Sequence, residues 1–176
     1  MRILLASTEM EPFASTGGMG DVLGALPPAL ATLGERVSVV IPRYGFIEPD
    51  KMGLKPYGAT ARAVPVGGLN KKFSLWKKTH RGTDVFFVDQ PTFFDRDRIY
   101  GTTDRDYPDN AERFVFFTRA VLELAVSMRP RPDVIHFHDW HTALGPVYMA
   151  RDEDIAAKLR NTAAVLTIHN LSLIHI

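Results

Sequence analysis

The chain has 176 residues, which suits one ordinary domain with a sizeable buried core. Hydrophobic residues make up 45% of it and charged residues 23%, a balance typical of globular rather than disordered proteins. The 21 Lys and Arg residues are offset by 20 Asp and Glu residues, which argues against broad binding to nucleic acid or to acidic membranes. The sequence contains no cysteine, so disulfides, thiol catalysis and cysteine-bound zinc are excluded.

The apolar run that follows Arg2 is too short for a signal peptide, because Glu9 and Glu11 interrupt it. No apolar stretch of the sequence approaches the ~20 residues that a membrane span needs. We therefore expect a cytoplasmic protein that does not insert into a membrane.

The first forty residues predict a strand, a glycine-rich turn, a helix and a second strand. Residues 2–7 form a short apolar run and residues 36–41 are rich in β-branched side chains, so both are predicted strands. Between them, leucines at three- and four-residue steps predict a helix, which Pro27 and Pro28 should bend or restart and Gly34 should end. A unit of this kind places its two strands parallel in one sheet.

The alternation of strands and helices continues along the chain. The sequence predicts an irregular region at 42–65, a strand pair at 71–80 and 84–88 turned at Arg81-Gly82, a polar loop at 93–107, a helix at 108–128, a strand at 133–138, a helix at 142–151 and a strand at 163–168. We therefore expect an α/β fold with a Rossmann-like, doubly wound parallel sheet. No helix pattern follows residue 170, which leaves an apolar sheet edge uncovered, so we expect a fragment of a longer protein.

The first candidate site is the glycine-rich loop 15–21, between the first predicted strand and helix. Glycines there let the backbone approach a ligand, and the start of a helix presents free N–H groups, which favours phosphate or diphosphate. The glycine spacing fits neither the dinucleotide fingerprint nor a P-loop. A tight turn that needs positive φ explains these glycines equally well.

The second candidate site is the segment 136–141, which holds three of the six histidines at the end of a predicted strand. Ligands bind at such strand ends in open α/β sheets. A metal site is the less favoured interpretation, because no recognised set of ligands is complete, and His136 can equally be a hydrogen-bonded core residue. Asp139 and Trp140 suit a carbohydrate better, since carboxylates accept hydrogen bonds from hydroxyls and an indole offers an apolar face to a sugar ring.

The third candidate is the end of the last predicted strand, at His169 and Asn170. The right-handed crossover rule places this end at the same rim of the sheet as Asp139. The alternative is a buried histidine followed by an Asn170 helix cap. The polar loop 93–107 is expected to be a solvated surface rather than a site.

Together these motifs resemble the N-terminal domain of bacterial glycogen synthases and of the related plant starch synthases. The resemblance covers residues 1–171 and rests on STEMEPF at 7–13, TGGMGDV at 16–22, GALP at 24–27, FFDR at 93–96, IYG at 99–101, Asn110 with Arg113-Phe114, HDWH at 138–141 and TIHNL at 167–171. Each motif alone is weak, but their order and spacing make the set specific.

The resemblance implies a two-domain GT-B glycosyltransferase in which residues 1–171 are the N-terminal catalytic domain, truncated on its C-terminal side. Residues 172–176 then form a non-native tail, and the second, nucleotide-binding domain is absent. The implied reaction is the retaining transfer of glucose from ADP-glucose to the nonreducing end of an α-1,4-glucan such as glycogen, without a metal or cofactor. The fragment alone is expected to be inactive.

Two other functions stay open. One is a noncatalytic module that binds glucan or phosphosugar. The other, a nicotinamide oxidoreductase, is less favoured, because Pro42 and Arg43 follow the second predicted strand where an acidic residue for the ribose hydroxyls is expected.

The resemblance also implies roles for individual residues. His169 and Asp139 are implied to be catalytic, and Glu9, Trp140 and His141 to contact the sugars. The implied donor-binding residues are Ser15, Thr16, Gly17, Gly18, Asp21 and Asn170. The chain departs from the family at Ser15, where members usually carry Lys, so it lacks a charge-assisted contact to phosphate worth about 1.5–3 kcal/mol.

Overall fold

The computed structural model of the chain describes residues 1–58 and 62–170. Its strands are β1 (Arg2–Ala6), β2 (Arg36–Pro42), β3 (Lys55–Pro56), β4 (Arg62–Val66), β5 (Leu69–His80), β6 (Thr83–Asp89), β7 (Val134–His138) and β8 (Ala163–Thr167). Its helices are α1 (Gly18–Thr32), α2 (Pro49–Met52), α3 (Pro91–Phe94), α4 (Asn110–Ser127), α5 (Leu144–Arg151) and α6 (Glu153–Lys158), with a 3₁₀ turn at Trp140–Thr142. The predicted tail, 172–176, lies outside the described residues.

The strands form one sheet in the order β3-β5-β6-β2-β1-β7-β8, and β4 pairs with β5 outside this path. The five strands β6, β2, β1, β7 and β8 are parallel to one another. The long strand β5 pairs antiparallel with β6, β3 and β4. The predicted Rossmann-like α/β fold is therefore confirmed, with an antiparallel extension at one side.

The register of the parallel strands brings three strand ends to one rim. Ala6 of β1 is paired with Phe137 of β7, and His138 with Thr167 of β8. The predicted neighbourhood of Asp139 and the end of β8 is confirmed by a hydrogen bond of 2.7 Å from the Asp139 N–H to the Thr167 carbonyl oxygen.

The core forms where these apolar strands meet the apolar face of α4. Four consecutive residues of β1, from Ile3 to Ala6, are buried, as expected for a parallel strand covered on both faces. The face of α4 predicted from its periodicity is fully buried; its members are Phe114, Phe117, Val121, Leu124 and Ala125. Among the described residues, no helix combines the length and the apolar composition needed to cross a bilayer.

Some predicted boundaries differ from the structure. Helix α1 runs through Pro27 and Pro28 without restarting, and its last residue is Thr32, two positions before the positive-φ residue Gly34 that was predicted to end it. The region 42–65, predicted to be irregular, contains α2, β3 and part of β4. The predicted helix 142–151 is a 3₁₀ turn followed by α5, and the last strand forms a sheet edge on which Val165 and Leu166 are exposed.

Candidate functional site

Asp139 follows β7 directly and is almost completely buried, with 1% of its surface exposed. Its Oδ1 accepts a hydrogen bond of 2.7 Å from the Trp140 N–H, and its Oδ2 accepts one of 3.2 Å from the Asn170 side-chain amide. The carboxylate therefore caps the 3₁₀ turn and joins the ends of β7 and β8.

The backbone of Asp139 is strained. Its φ of 61° and ψ of −177° lie in a region that glycine adopts almost exclusively, at a cost of about 1–3 kcal/mol for other residues. Such strain concentrates at ligand-binding and catalytic sites, where the surrounding structure holds it. The conformation therefore marks this strand end as a candidate site independently of its sequence motif.

Three histidines lie in contact beside Asp139. The rings of His136 and His138 are 4.1 Å apart, and the Nδ1 atom of His138 is 2.9 Å from the Nε2 atom of His169. Burial lowers the pKa of His138 to about 3, so its imidazole is neutral at physiological pH. Within 1–58 and 62–170, no three His, Asp or Glu side chains are grouped as a metal ion would require.

The glycine-rich loop lies between β1 and α1, and its backbone is open. Gly17 has φ −175°, an extended conformation available to any residue, so the tight-turn explanation with positive φ is wrong. A Cβ atom added at Gly17 or Gly18 would meet no atom within 4 Å. These glycines therefore leave space in front of the start of α1, as close approach by a ligand requires.

The other residues of this loop have different environments. Gly20 is needed for packing, because a Cβ atom there would lie 2.3 Å from the Ser15 Oγ atom. The Ser15 hydroxyl donates to the Gly17 carbonyl oxygen at 3.3 Å. Asp21 is exposed in the first turn of α1.

Glu9 is buried behind the glycine-rich loop and accepts three hydrogen bonds. Two come from Thr16, 2.6 Å from its backbone N–H and 2.9 Å from its hydroxyl, and the third comes from the Tyr100 hydroxyl at 2.5 Å. The Tyr100 hydroxyl also lies 2.8 Å from the Thr8 Oγ atom. Burial, with the nearby Tyr44 and Glu9, raises the pKa of Tyr100 far above its ordinary value.

The contact with Tyr100 makes part of the loop 93–107 a component of the site. The expectation of a solvated surface holds for most charged residues of the loop, such as Asp97 and Arg98, whereas Ile99 is buried and Tyr100 is partly buried against Glu9. The sequence signal was the apolar and aromatic Ile99-Tyr100 pair within an otherwise charged segment. The buried Arg113 holds this part of the loop, since it donates to the Phe93 carbonyl oxygen at 2.7 Å and to the Ile99 carbonyl oxygen at 3.0 Å.

Trp140 and His141 extend the site with an aromatic surface. The His141 ring stacks on Tyr100 at 4.8 Å and meets the edge of Phe114 at the same distance. Burial, with the nearby Arg113, lowers the pKa of His141 to about 3, so this ring is also neutral. Trp140 lies 4.1 Å from His141, and 47% of its surface is exposed, which leaves an indole surface available to a ligand.

A cleft of about 600 Å³ adjoins Tyr100 and the glycine-rich loop. Ser15 and Thr16 line one side of it, and the exposed Phe46 contributes a further aromatic surface. The sequence-predicted residues thus fall into two groups, one around Glu9 and the glycine-rich loop and one around Asp139 and His169.

The chain matches the family model described as the starch synthase catalytic domain over residues 2–176. It is 40% identical over 171 residues to a glycogen synthase from Syntrophotalea carbinolica, a match that covers 97% of this chain and 35% of that protein. It is 43% identical over 176 residues to a glycogen synthase from Anaeromyxobacter dehalogenans, covering 98% of this chain and 35% of the relative. The chain thus spans about a third of the length of these relatives.

A solved structure gives the same result at the level of the fold. The catalytic domain of starch synthase IV from Arabidopsis thaliana, bound to ADP and acarbose, superposes with a TM-score of 0.82 at 32% sequence identity. The match covers 97% of this chain and 34% of the starch synthase chain. By sequence and by fold, the chain belongs to the starch synthase catalytic domain family, which includes the glycogen synthases.

Proposed function

We propose that these residues form the first domain of an enzyme that transfers glucose from ADP-glucose to the nonreducing end of an α-1,4-glucan, with retention. The observation that carries the proposal is that the open backbone at Gly17 and Gly18 and the strained, buried Asp139 lie at the carboxyl ends of adjacent parallel strands. In open α/β sheets this rim is where ligands bind. The match to a starch synthase bound to ADP and acarbose supports the same assignment.

The glycine-rich loop is the proposed contact for the donor diphosphate. Departure of a nucleoside diphosphate builds negative charge on phosphate oxygens, and fixed N–H groups at the start of α1 stabilise such charge. Ser15 contributes no cation, and its hydroxyl is already bonded to the Gly17 carbonyl oxygen. We therefore assign the positive charge at the diphosphate to the second domain, outside residues 1–176.

The end of β7 and β8 is the proposed contact for the sugars. The partly exposed His169 offers a ring nitrogen to a glucose hydroxyl, and the exposed indole of Trp140 offers an apolar face to a glucan ring. Asp139 orients Trp140 and the residue after His169, because its carboxylate accepts hydrogen bonds from the Trp140 N–H and from the Asn170 side-chain amide. None of these steps requires a metal or a cofactor, and we place the enzyme in the cytoplasm.

Two alternatives have different support. A nicotinamide oxidoreductase is disfavoured, because the residue after β2 is Arg43, whose guanidinium pairs with Asp89 at 2.8 Å, where such enzymes carry a ribose-binding acid. A noncatalytic glucan-binding module would use the same rim but would not require the second domain. The experiment below distinguishes this function from glucosyl transfer.

The test is glucosyl transfer from radiolabelled ADP-glucose to glycogen by the complete protein that contains these residues. Asp139→Asn and His169→Ala should each lower transfer at least tenfold, about 1.4 kcal/mol of transition-state stabilisation. Asp154→Asn, an exposed residue on α6, is the matched control and should leave the rate unchanged. A chelator should have no effect, and residues 1–176 alone should show no turnover.

Each contrary result is informative. Undiminished transfer by both variants would contradict the assignment of the rim as the active site. Turnover by residues 1–176 alone would contradict the requirement for a second domain. Binding of maltoheptaose by the complete protein without transfer would support the noncatalytic module instead.

A further inference from the structure

The buried His138 makes a direct hydrogen bond to the side chain of His169, whose role at the sugar is proposed above. The two ring nitrogens, Nδ1 of His138 and Nε2 of His169, are 2.9 Å apart, and the rings lie 20° from parallel. His138 is fully buried, whereas His169 is partly exposed at the rim. The interaction therefore links a fixed core side chain to one that can meet a ligand.

Only one proton can occupy this hydrogen bond, so the pair has two possible arrangements. Either the His138 Nδ1–H donates to a bare Nε2 of His169, or the His169 Nε2–H donates to a bare Nδ1 of His138. His138 is neutral, because burial lowers its pKa to about 3, and it therefore carries a single N–H. The position of that N–H decides which tautomer His169 adopts.

The environment of the other nitrogen of His138 distinguishes the two arrangements. Its Nε2 atom is buried and has no hydrogen-bond partner in the described part of the chain. In the second arrangement this atom would carry an N–H without an acceptor, and orphaned buried N–H groups are rare in proteins. The first arrangement avoids the unpaired donor.

We propose that His138 is a positioning residue that holds His169 in the Nδ1–H tautomer, so that His169 presents a hydrogen-bond donor at the rim. The Nδ1 atom of His169 has no partner among residues 1–58 and 62–170, so this N–H is available to a ligand. Its acceptor is an oxygen of the bound substrate, a sugar hydroxyl if the proposed function is correct. In the Nδ1–H tautomer, His169 donates a hydrogen bond from its Nδ1 atom, and that nitrogen has no free lone pair with which to act as a base.

Neighbouring residues hold His138 in this orientation. Its ring packs against His136, and the Nε2 atom of His136 is 2.7 Å from the Thr167 Oγ atom on β8. The backbone carbonyl oxygen of His138 accepts a hydrogen bond of 2.9 Å from the Thr142 hydroxyl. These contacts leave the Nδ1 atom of His138 directed at a single partner.

The test is a long-range ¹H–¹⁵N correlation spectrum of the histidine rings in the 176-residue chain, recorded at about pH 8.5, where ordinary imidazoles are neutral. His169→Gln assigns the His169 signals by their loss. In the unaltered chain we expect a protonated Nδ1 and a bare Nε2 at His169. His138→Phe should abolish this pattern and give the tautomer mixture of an unrestrained imidazole.

Two further variants make the result specific. His138→Asn should retain the Nδ1–H tautomer of His169, because the asparagine amide N–H can replace the His138 Nδ1–H as the hydrogen-bond donor to the His169 Nε2 atom. His80→Phe removes a histidine on β5 whose ring packs against Phe13 rather than against the rim histidines, and it should change nothing at His169. If His138→Phe fails to fold, the unaltered chain and His138→Asn still decide, because an Nε2–H tautomer of His169 in either of them would contradict the inference.

An Nε2–H tautomer of His169 in the unaltered chain would overturn the inference, and so would an unchanged pattern in a folded His138→Phe variant. The measurement needs no substrate. A complete protein that lacks glucosyl transfer would therefore contradict the proposed function without affecting the tautomer result. An Nε2–H tautomer of His169 would overturn the present inference without affecting the proposed function.

Discussion

Replacement of Glu9 by alanine tests whether the buried carboxylate organises the glycine-rich loop. The change removes three hydrogen bonds, two from Thr16 and one from Tyr100. A hydrogen bond to a charged group contributes about 1.5–3 kcal/mol when it is buried. Thr16 is exposed, so water can satisfy its freed groups, and Tyr100 keeps its contact with Thr8. The loss in free energy of unfolding is therefore about 2–3 kcal/mol rather than the full sum.

For a chain of this size, 1 kcal/mol corresponds to about 2–4 °C in Tm, so Glu9→Ala should lower Tm by about 4–12 °C in calorimetry. Hydrogen exchange of the Thr16 amide should also accelerate, because its N–H loses its acceptor. Glu9→Gln should show a smaller change in both measurements, since its amide oxygen still accepts one of the bonds.

The matched control is Glu11→Ala. Glu11 lies in the same segment but is exposed, and its side chain makes no hydrogen bond to the described residues, so its loss should change stability by less than about 0.5 kcal/mol. Equal Tm values for Glu9→Ala and Glu11→Ala, with unchanged exchange at Thr16, would refute the organising role of Glu9.

Two further predictions concern packing and pH. Gly145→Ala should lower Tm by several degrees, because the new Cβ atom would lie 2.1 Å from the Phe137 ring. Overpacking of this kind costs about 1–3 kcal/mol of stability. The control is Gly17→Ala, because a Cβ atom at Gly17 would meet no atom within 4 Å. Burial lowers the pKa of His138 and His141 to about 3. Below about pH 6.5 these two imidazoles therefore become protonated in the unfolded chain but stay neutral in the folded chain. Stability should therefore be full above that pH and fall below it by about 1.4 kcal/mol per pH unit for each histidine. Urea denaturation at pH 7 and pH 5 measures this loss, and His141→Phe should reduce it.

The elements that the sequence predicted best are those set by local patterns. The apolar face of α4 and the β-branched run of β2 are visible in their periodicity, and the turn at Arg81-Gly82 joins β5 to β6 through two positive-φ residues. Such patterns need no knowledge of distant partners. The placement of Asp139 and the end of β8 at one rim followed from the right-handed crossover rule, which is also local to each strand–helix–strand unit.

The elements that the sequence did not predict depend on distant partners. The short strand β3 exists because β5 pairs with it across a long stretch of sequence, Lys55 with Lys77. Strand β4 is the exception, because it pairs with β5 through the positive-φ turn Gly67-Gly68 and has alternating burial, a local signal that the prediction missed. The contact between Glu9 and Tyr100 joins residues 91 positions apart, which no local pattern can indicate. The hydrogen bond between His138 and His169 likewise requires the register of β7 against β8.

The geometry separates the residues that resemblance had grouped together as sugar or catalytic contacts. Glu9 and Asp139 are buried, and both oxygens of each carboxylate already accept hydrogen bonds from neighbouring residues. Trp140 is half exposed, and His169 keeps one ring nitrogen available at the rim. Substitution of the two carboxylates therefore perturbs the placement of loops and strand ends as well as any ligand contact, whereas Trp140→Ala removes mainly a contact surface. A loss of glucan affinity without a fall in Tm is accordingly expected for Trp140→Ala and not for Glu9→Ala, and this contrast separates residues that touch the substrate from residues that position them.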